Sequence, residues 1–511
     1  MATQRRLREP AARPVRNIAL PVIVVMLLLV CLLFALYHGS RQRRLISSGA
    51  PNVLLVSIDT LRPDHLGCYG YRRDTSPALD RLADQGVRFS TVAAASSWTL
   101  PSHASLVTGL YPANHGAWQM ANPISPAVTT LAQLLQRTGM RTCGMVSFHL
   151  LSAGYGFARG FDTYRELHQD ARGGLRQVRA EEVANRAIHW IGNNRTEPFF
   201  LFLHFFDPHW DYDPPPPYDR IYNPGYRGKM TGAYRSLLKY IKYRPDKPGK
   251  NGRAAQPAAE PGMEREVTIA EGDLRQVLAL YDGEIRYTDH HLGRVIDALR
   301  LYGLLDKTLV VVTGDHGEEF MEHGSLEGHA WTMYEEVIRV PLIMRFPDGL
   351  GGGRTVGRQV RNIDIMPTIL DWLQLNGPSA LEGKSLLPAI RETCTIHGGC
   401  EMAPEVAFGE TRRFNLTRAS ARSAAGRKVI FTNGGTAVEY FDLNRDPGEQ
   451  VNLKDAGGDP PHEEFVRLEK SLDDWLNGRN PATAAGRAEE VAIDQRTRDQ
   501  LAAMGYAVEN E

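Results

Sequence analysis

The strongest constraint on this chain is a set of short, unbroken apolar runs separated by helical patterns. Asn52–Ile58 reads NVLLVSI, and similar runs occupy 141–146 (RTCGMV), 198–204 (PFFLFLH), 308–313 (TLVVVT) and 340–344 (VPLIM). A strand without polar alternation has both faces buried, as in a parallel sheet covered by helices. Helical patterns fall between the runs, at 129–138, 180–193 and 274–302. The expected fold is therefore α/β, with a large central, mostly parallel sheet flanked by helices. Beyond Leu370 the pattern changes to short strands at 428–432 and 437–442, then a helix at 462–476. A smaller C-terminal α+β domain is expected there, because 511 residues exceed what one core usually organises.

The residues before the first run point elsewhere. Segment 18–37 is almost wholly apolar and has the span of about 20 residues that a bilayer-crossing helix needs. Arg5, Arg6, Arg8, Arg13 and Arg16 precede it, while Arg41, Arg43 and Arg44 follow. That excess favours a single-pass signal-anchor, with the body on the extracytoplasmic (periplasmic or extracellular) side. A cleaved signal peptide is the alternative. The expected layout is a cytoplasmic basic segment (1–17), the membrane helix (18–37), a linker (38–50), a large domain (51–375), a smaller domain (376–480) and a polar tail (481–511). Within the large domain, 223–262 is rich in Pro, Gly, Lys and Arg and is expected to be a flexible, lid-like insertion. The 59 basic and 59 acidic residues balance, which argues against a nucleic-acid partner. Five cysteines do not make a disulfide framework, although Cys394 and Cys400 are close enough to bridge a loop. Asn194 and Asn415 begin glycosylation acceptor triplets, a pattern common by chance.

In open α/β sheets, ligands gather at the carboxyl ends of the strands. Asp59 and Thr60 follow the first run, His204, Asp207 and His209 end or follow PFFLFLH, and Asp315 and His316 follow TLVVVTG. Three strand ends thus bring carboxylates and imidazoles to one edge, where a divalent metal finds suitable ligands. Segment 96–109 (SSWTLPSHASLVTG) reads as a turn entering a helix, with the Thr99 hydroxyl at its start. Unpaired amides and the helix dipole there favour an anion, which suits a nucleophile. A helix-capping threonine fits the same spacing.

Residues 52–70 (NVLLVSIDTLRPDHLGCYG) together with SWTLPSHASLVTGLYP closely resemble the start of the sulfatase family, within the alkaline-phosphatase superfamily. FDPHWDY, GDHGEEFMEHG, MYEEVIRVPLI, LEGKSLLP and EYFDLNRDPGEQVNL extend the resemblance in order from Asn52 to Leu453. It implies that Asp59, Asp315 and His316 hold one divalent ion (calcium, magnesium, manganese or zinc). Thr60 falls where many members have a second acidic ligand. The resemblance further implies that His149 and His209 hold the ester oxyanion or protonate the leaving group, with His329 near a basic residue of the same duty. Asp282 and Glu284 are expected to serve helix packing.

One departure changes the chemistry implied. Sulfatases carry a Cys or Ser that is oxidised to formylglycine, within C/S-x-P-S-R. Here the sequence is Thr99-Leu100-Pro101-Ser102-His103, and Ser147 stands where many members have lysine. Threonine cannot become the aldehyde, so the expected activity is hydrolysis of a phosphate mono- or diester through Thr99, with His103 in the arginine's place. The alternatives are a sulfatase working without formylglycine, an envelope phospho-head-group transferase, and a non-catalytic glycan-binding ectodomain. The expected substrate is an anionic ester on a glycan or lipid.

Overall fold

The computed structural model describes residues 50–170, 174–209, 211–245, 263–326, 328–391, 406–413, 416–455, 463–479 and 490–503, with Met26, Leu27 and Leu29. The expected membrane helix and extracytoplasmic placement are corrected: among the described residues no helix is long and apolar enough to cross a membrane. Apart from Met26, Leu27 and Leu29, segment 18–37 lies outside the described residues, as do Cys31, Cys394, Cys400 and Asn415. Cys68 and Cys143 are free thiols.

Fifteen strands are described: β1 (Asn52–Ile58), β2 (Val87–Ala93), β3 (Arg141–Val146), β4 (Thr163–Glu166), β5 (Phe199–Phe205), β6 (Ile241–Pro245), β7 (Met263–Val267), β8 (Thr308–Gly314), β9 (Arg339–Val340), β10 (Leu342–Arg345), β11 (Arg354–Arg361), β12 (Val406–Arg413), β13 (Leu416–Ser423), β14 (Arg427–Thr432) and β15 (Ala437–Asp442). Nine form one sheet in the order β11-β2-β10-β8-β1-β5-β3-β4, with β9 paired to β2. At its centre β1 runs parallel to β5 and β8, with Ser57 level with His204 and Thr313.

The continuous apolar runs are explained by the two cores. Val53 and Leu55 of β1 enter one, and Leu54, Val56 and Ile58 enter the other, on the opposite face. The main helices are α1 (Pro77–Gln85), α2 (Thr99–Thr108), α3 (Leu131–Arg137), α4 (Ala180–Asn193), α5 (Glu271–Leu301), α6 (Glu463–Asn477) and α7 (Gln495–Ala503). Helices α4 and α5 pack together on the side of the second core.

Run 340–344 departs from the parallel expectation. Pro341, lacking an N–H for the ladder, separates β9 from β10, and β10 runs antiparallel to β8 and β2. The smaller sheet is antiparallel, in the order β12-β13-β14-β15, and α6 covers it through Phe465, Leu468 and Leu472. Strand β6, inside the 223–262 excursion, pairs antiparallel with β7, which begins just past its end; residues 246–262 lie outside the description. Near the C-terminus, residues 490–503 are more than a loose tail. Ile493 and Leu501 are buried in the first core, and the Val491 amide donates to the Ala121 carbonyl at 2.8 Å.

Candidate active site

Three adjacent strands of the sheet, β8, β1 and β5, end side by side, and their ends carry the reactive side chains. Asp59 follows β1, Asp315 and His316 follow β8, and His204 is the last residue but one of β5. All four side chains are buried. One ligand atom from each of Asp59, Asp315 and His316 falls within 4.8 Å of the others. Backbone geometry tightens the cluster at Thr60, which takes a positive φ of 52°. In that conformation its amide donates to Asp315 Oδ1 (3.2 Å), and its carbonyl accepts from the Tyr281 hydroxyl (2.6 Å). Thr60 Oγ1 is buried without a partner.

The charge state of the cluster follows from its burial. Desolvation, then the neighbouring Asp315 and Glu318 carboxylates, push the Asp59 carboxyl well above its ordinary value. Burial pushes Asp315 the same way, but the imidazoles of His316 and His103 outweigh it and hold that carboxyl below the usual range. Burial also lowers His316 to about 4, so its ring is neutral at pH 7. His316 Nδ1 donates to the Gly317 carbonyl at 2.9 Å, which leaves the Nε2 lone pair facing the carboxylates. Asp59 Oδ1 and Asp315 Oδ2 accept no hydrogen bond, although imidazole nitrogens stand 3.2 to 3.5 Å away. Unsatisfied buried acceptors and a correctly oriented imidazole are the donor set a divalent ion requires. The residues fit the group.

Thr99 is the first residue of α2, and the cap position before it belongs to Trp98, so Thr99 does not cap the helix. Its Oγ1 lies 3.3 Å from His316 Nε2, fully buried at the dipole's positive end. One turn on, Ser102 Oγ donates to the Asp315 carbonyl at 2.6 Å and fixes the helix to the end of β8. His103 Nδ1 bonds the Thr99 carbonyl (2.8 Å) and faces Asp315 Oδ2 (3.2 Å), while its Nε2 is buried and unpartnered. Ser96 Oγ, Ser97 Oγ and Trp98 Nε1, just ahead of Thr99, are likewise buried without partners. Polar atoms left in this way await a polar ligand or water.

The remaining histidines divide into two groups. The rings of His209 and His329 stand 4.9 Å apart, and those of His329 and His316 stand 4.7 Å apart, so these two join the cluster. His329 Nδ1 is held by Glu318 at 2.9 Å. His149 begins the turn after β3, where it faces His168 (5.7 Å between rings) and makes no described contact with Asp59, Asp315 or His316. Burial lowers His149, and it lowers His168 to about 3, with His149 adding to the effect.

The sequence placed His204 at this edge without giving it a role, and it did not single out Glu318 or His168. His204 bonds Asp59 Oδ2 through Nε2 (3.2 Å), and Ser147 fixes its other nitrogen (3.0 Å). Burial, then His103, keeps its pKa well below the ordinary value. The strand-end position of His204 was the available signal. Glu318 had only its place in GDHGEE, and His168 had none. Asp207, at the same sheet edge, turns away: its Oδ2 accepts the Ala180 amide at the start of α4 (2.6 Å). Asp282 binds His65 (2.6 Å) and Tyr71 (2.7 Å), and Glu284 accepts the Asp213 amide (3.0 Å), both as packing groups.

The family model described as Sulfatase matches residues 51–375, and that described as N-sulphoglucosamine sulphohydrolase, C-terminal, matches 322–476. An N-acetylglucosamine-6-O-sulfatase of Bacteroides thetaiotaomicron is 24% identical over 467 residues, covering 79% of this chain and 82% of that protein. The multifunctional alkaline phosphatase superfamily protein PehA of Trinickia caryophylli is 26% identical over 498 residues, covering 81% and 93%. In fold, the phosphonate monoester hydrolase of Agrobacterium radiobacter aligns with a TM-score of 0.65 at 24% identity, over 85% of this chain and 96% of that one. The chain belongs to the sulfatase family of the alkaline-phosphatase superfamily and is an ester hydrolase of that group.

Proposed function

We propose that this hydrolase acts on phosphate mono- or diesters of a glycan or lipid through a Thr99 phosphoester. The carrying observation is the Thr99 hydroxyl itself, buried at a helix start and 3.3 Å from His316 Nε2, where a sulfatase has its formylglycine precursor. A calcium, magnesium, manganese or zinc ion held by Asp59, Asp315 and His316 would supply positive charge that favours the ionised hydroxyl and a negative substrate oxygen.

In the first half-reaction the Thr99 hydroxyl gives its proton to solvent and Oγ1 bonds to phosphorus. The bond from phosphorus to the ester oxygen then breaks. His209 or His329 gives a proton to the leaving oxygen, Glu318 orienting the His329 ring. In the second, water gives a proton to the histidine that lost one and attacks phosphorus, the bond to Oγ1 breaks, and Oγ1 takes a proton back from solvent. His103 Nε2, buried and unpartnered, holds an oxygen of the transferred group. His149, on the other side of the β5 end, contacts the ester from beside β3.

The test compares aryl phosphodiester with aryl sulfate turnover in metal-supplied wild type and Thr99→Ala. Phosphodiester turnover is expected to dominate and to fall roughly 10³-fold or more in the variant. Full activity in Thr99→Ala would refute the reading. A second reading, sulfate-ester hydrolysis without formylglycine, has support from the match of 322–476 to the N-sulphoglucosamine sulphohydrolase C-terminal model. Preferential turnover of aryl sulfate would select it.

A further inference from the structure

The hairpin of β12 and β13 lies against the loops that carry the reacting centre. Thr411 Oγ1 donates to the Ala330 carbonyl (2.9 Å), and the Ala330 amide donates to the Ser97 carbonyl (2.8 Å), two residues before Thr99. Ala330 also follows His329 directly. On this hairpin, neighbouring residues alternate faces. Arg413, on the Thr411 face, stacks over Trp331 at 5.4 Å and braces the hairpin against the His329 loop.

Arg412 faces the other way and stacks over Trp118 at 4.9 Å. Trp118 is in turn tied to α2. The Ala117 amide donates to His115 Nδ1 (3.1 Å), and His115 Nε2 meets Ser105 Oγ (3.0 Å). Ser105 lies about 9 Å along the helix from Thr99, at 1.5 Å per residue.

Arg412 combines this stacking with a lack of described acidic partners. Its side chain is partly buried, its Nε is buried without a hydrogen bond, and no described carboxylate pairs with it. The nearest acid on its own face, Glu410, is already engaged by Arg479 (2.7 Å) and the Ala113 amide (3.1 Å). A partly buried cation without a counter-charge is costly, and stacking on an indole offsets only part of that cost. Stacking also fixes the guanidinium plane, and its edge donors then form a preset fork for a carboxylate, sulfate or phosphate.

We propose that Arg412, braced on Trp118, binds an oxyanion carried by the organic part of the substrate, so that the enzyme selects esters with a second negative charge. The proposal rests on the reading above only in taking the Thr99 end of α2 as the reacting centre. The substrate class is thus a dianionic or polyanionic ester, such as an acidic or multiply esterified glycan. Arg412 acts as a specificity residue and takes no part in bond breaking.

Calorimetric binding of two non-hydrolysable ligands, a naphthalene monosulfonate and a naphthalene disulfonate, tests this without turnover. Metal-loaded wild type is expected to bind the disulfonate at least tenfold more tightly. Arg412→Gln should abolish that preference, Arg412→Lys should retain part of it, and Thr99→Ala should retain it in full. Equal binding of the two ligands by wild type, including no binding of either, overturns the proposal, as does an undiminished preference in Arg412→Gln. Failure of the Thr99 reading appears separately, as ester turnover by Thr99→Ala with the disulfonate preference intact.

Discussion

Among the described residues, two clusters have the composition of a metal site: Asp59, Asp315 and His316, and Glu319, His323 and Glu336. His316 of the first lies three residues before Glu319 of the second, yet the bonding of the two clusters is opposite. In the second, His323 Nδ1 binds Glu336 at 2.6 Å and its Nε2 donates to the Glu449 carbonyl at 3.1 Å. Glu319 accepts from the Ser325 amide (3.2 Å) and the Thr332 hydroxyl (3.3 Å). Both nitrogens of His323, both oxygens of Glu319 and Oε1 of Glu336 are thus engaged within the protein. In the first cluster, Asp59 Oδ1 and Asp315 Oδ2 accept nothing, and the His316 lone pair faces inward. Residue type and spacing therefore do not distinguish a site from a structural network. The unsatisfied acceptors do.

The contrast is broken most severely at Asp315. Asp315→Asn removes a charge from the candidate site, and bound metal and ester turnover should both fall, turnover by roughly 10³-fold or more. Metal analysis of the purified variant with a rate measurement checks this. Glu336→Gln should leave metal content and turnover near wild type, while costing about 2 kcal/mol of stability through the lost charge-assisted bond to His323. Chemical denaturation reads that cost. A variant of the second cluster that emptied the protein of metal would invert the comparison.

A smaller effect is expected from pH. His323 is raised to about 9: burial opposes the shift, but its bond to Glu336 and that charge outweigh it. A raised histidine contributes stability that is complete below its unfolded value near 6.5 and is lost as pH rises through about 9. Burial, then Glu336, raises Glu319 to about 7, so its protonated form is favoured in the fold. That contribution also disappears as pH rises through 7. Metal-free protein should therefore lose melting temperature steadily between pH 7 and 9, and Glu336→Gln should flatten the upper part of the slope. A profile unchanged by the substitution would remove His323 from the account.

The sequence revealed the parts of this fold that depend on burial of contiguous residues. NVLLVSI, PFFLFLH and TLVVVT became β1, β5 and β8 because each buries both faces, and the residues after them had to meet at one edge. Strand direction was not legible, because hydrophobicity carries no sense of direction: VPLIM became an antiparallel strand. Strand β2 (VRFSTVA) and strand β12 (VAFGETRR) are too polar to give such a run, each being only partly buried. Contacts between distant segments were hidden as well. The bond of Ser147 to His204 and the stack of Arg412 on Trp118 join residues with no local pattern in common. Residues 490–503 read as a polar tail because their two core residues, Ile493 and Leu501, are isolated among polar ones.

The central claim, that Thr99 attacks the ester, is tested most directly by rapid-quench mass spectrometry. Metal-loaded wild type would be mixed with an aryl phosphodiester and digested after quenching. A phosphoester is expected on the peptide containing Thr99, appearing with release of the aryl alcohol and absent from Thr99→Ala. Alcohol release by wild type with Thr99 unmodified at every time, or full activity in Thr99→Ala, would contradict it.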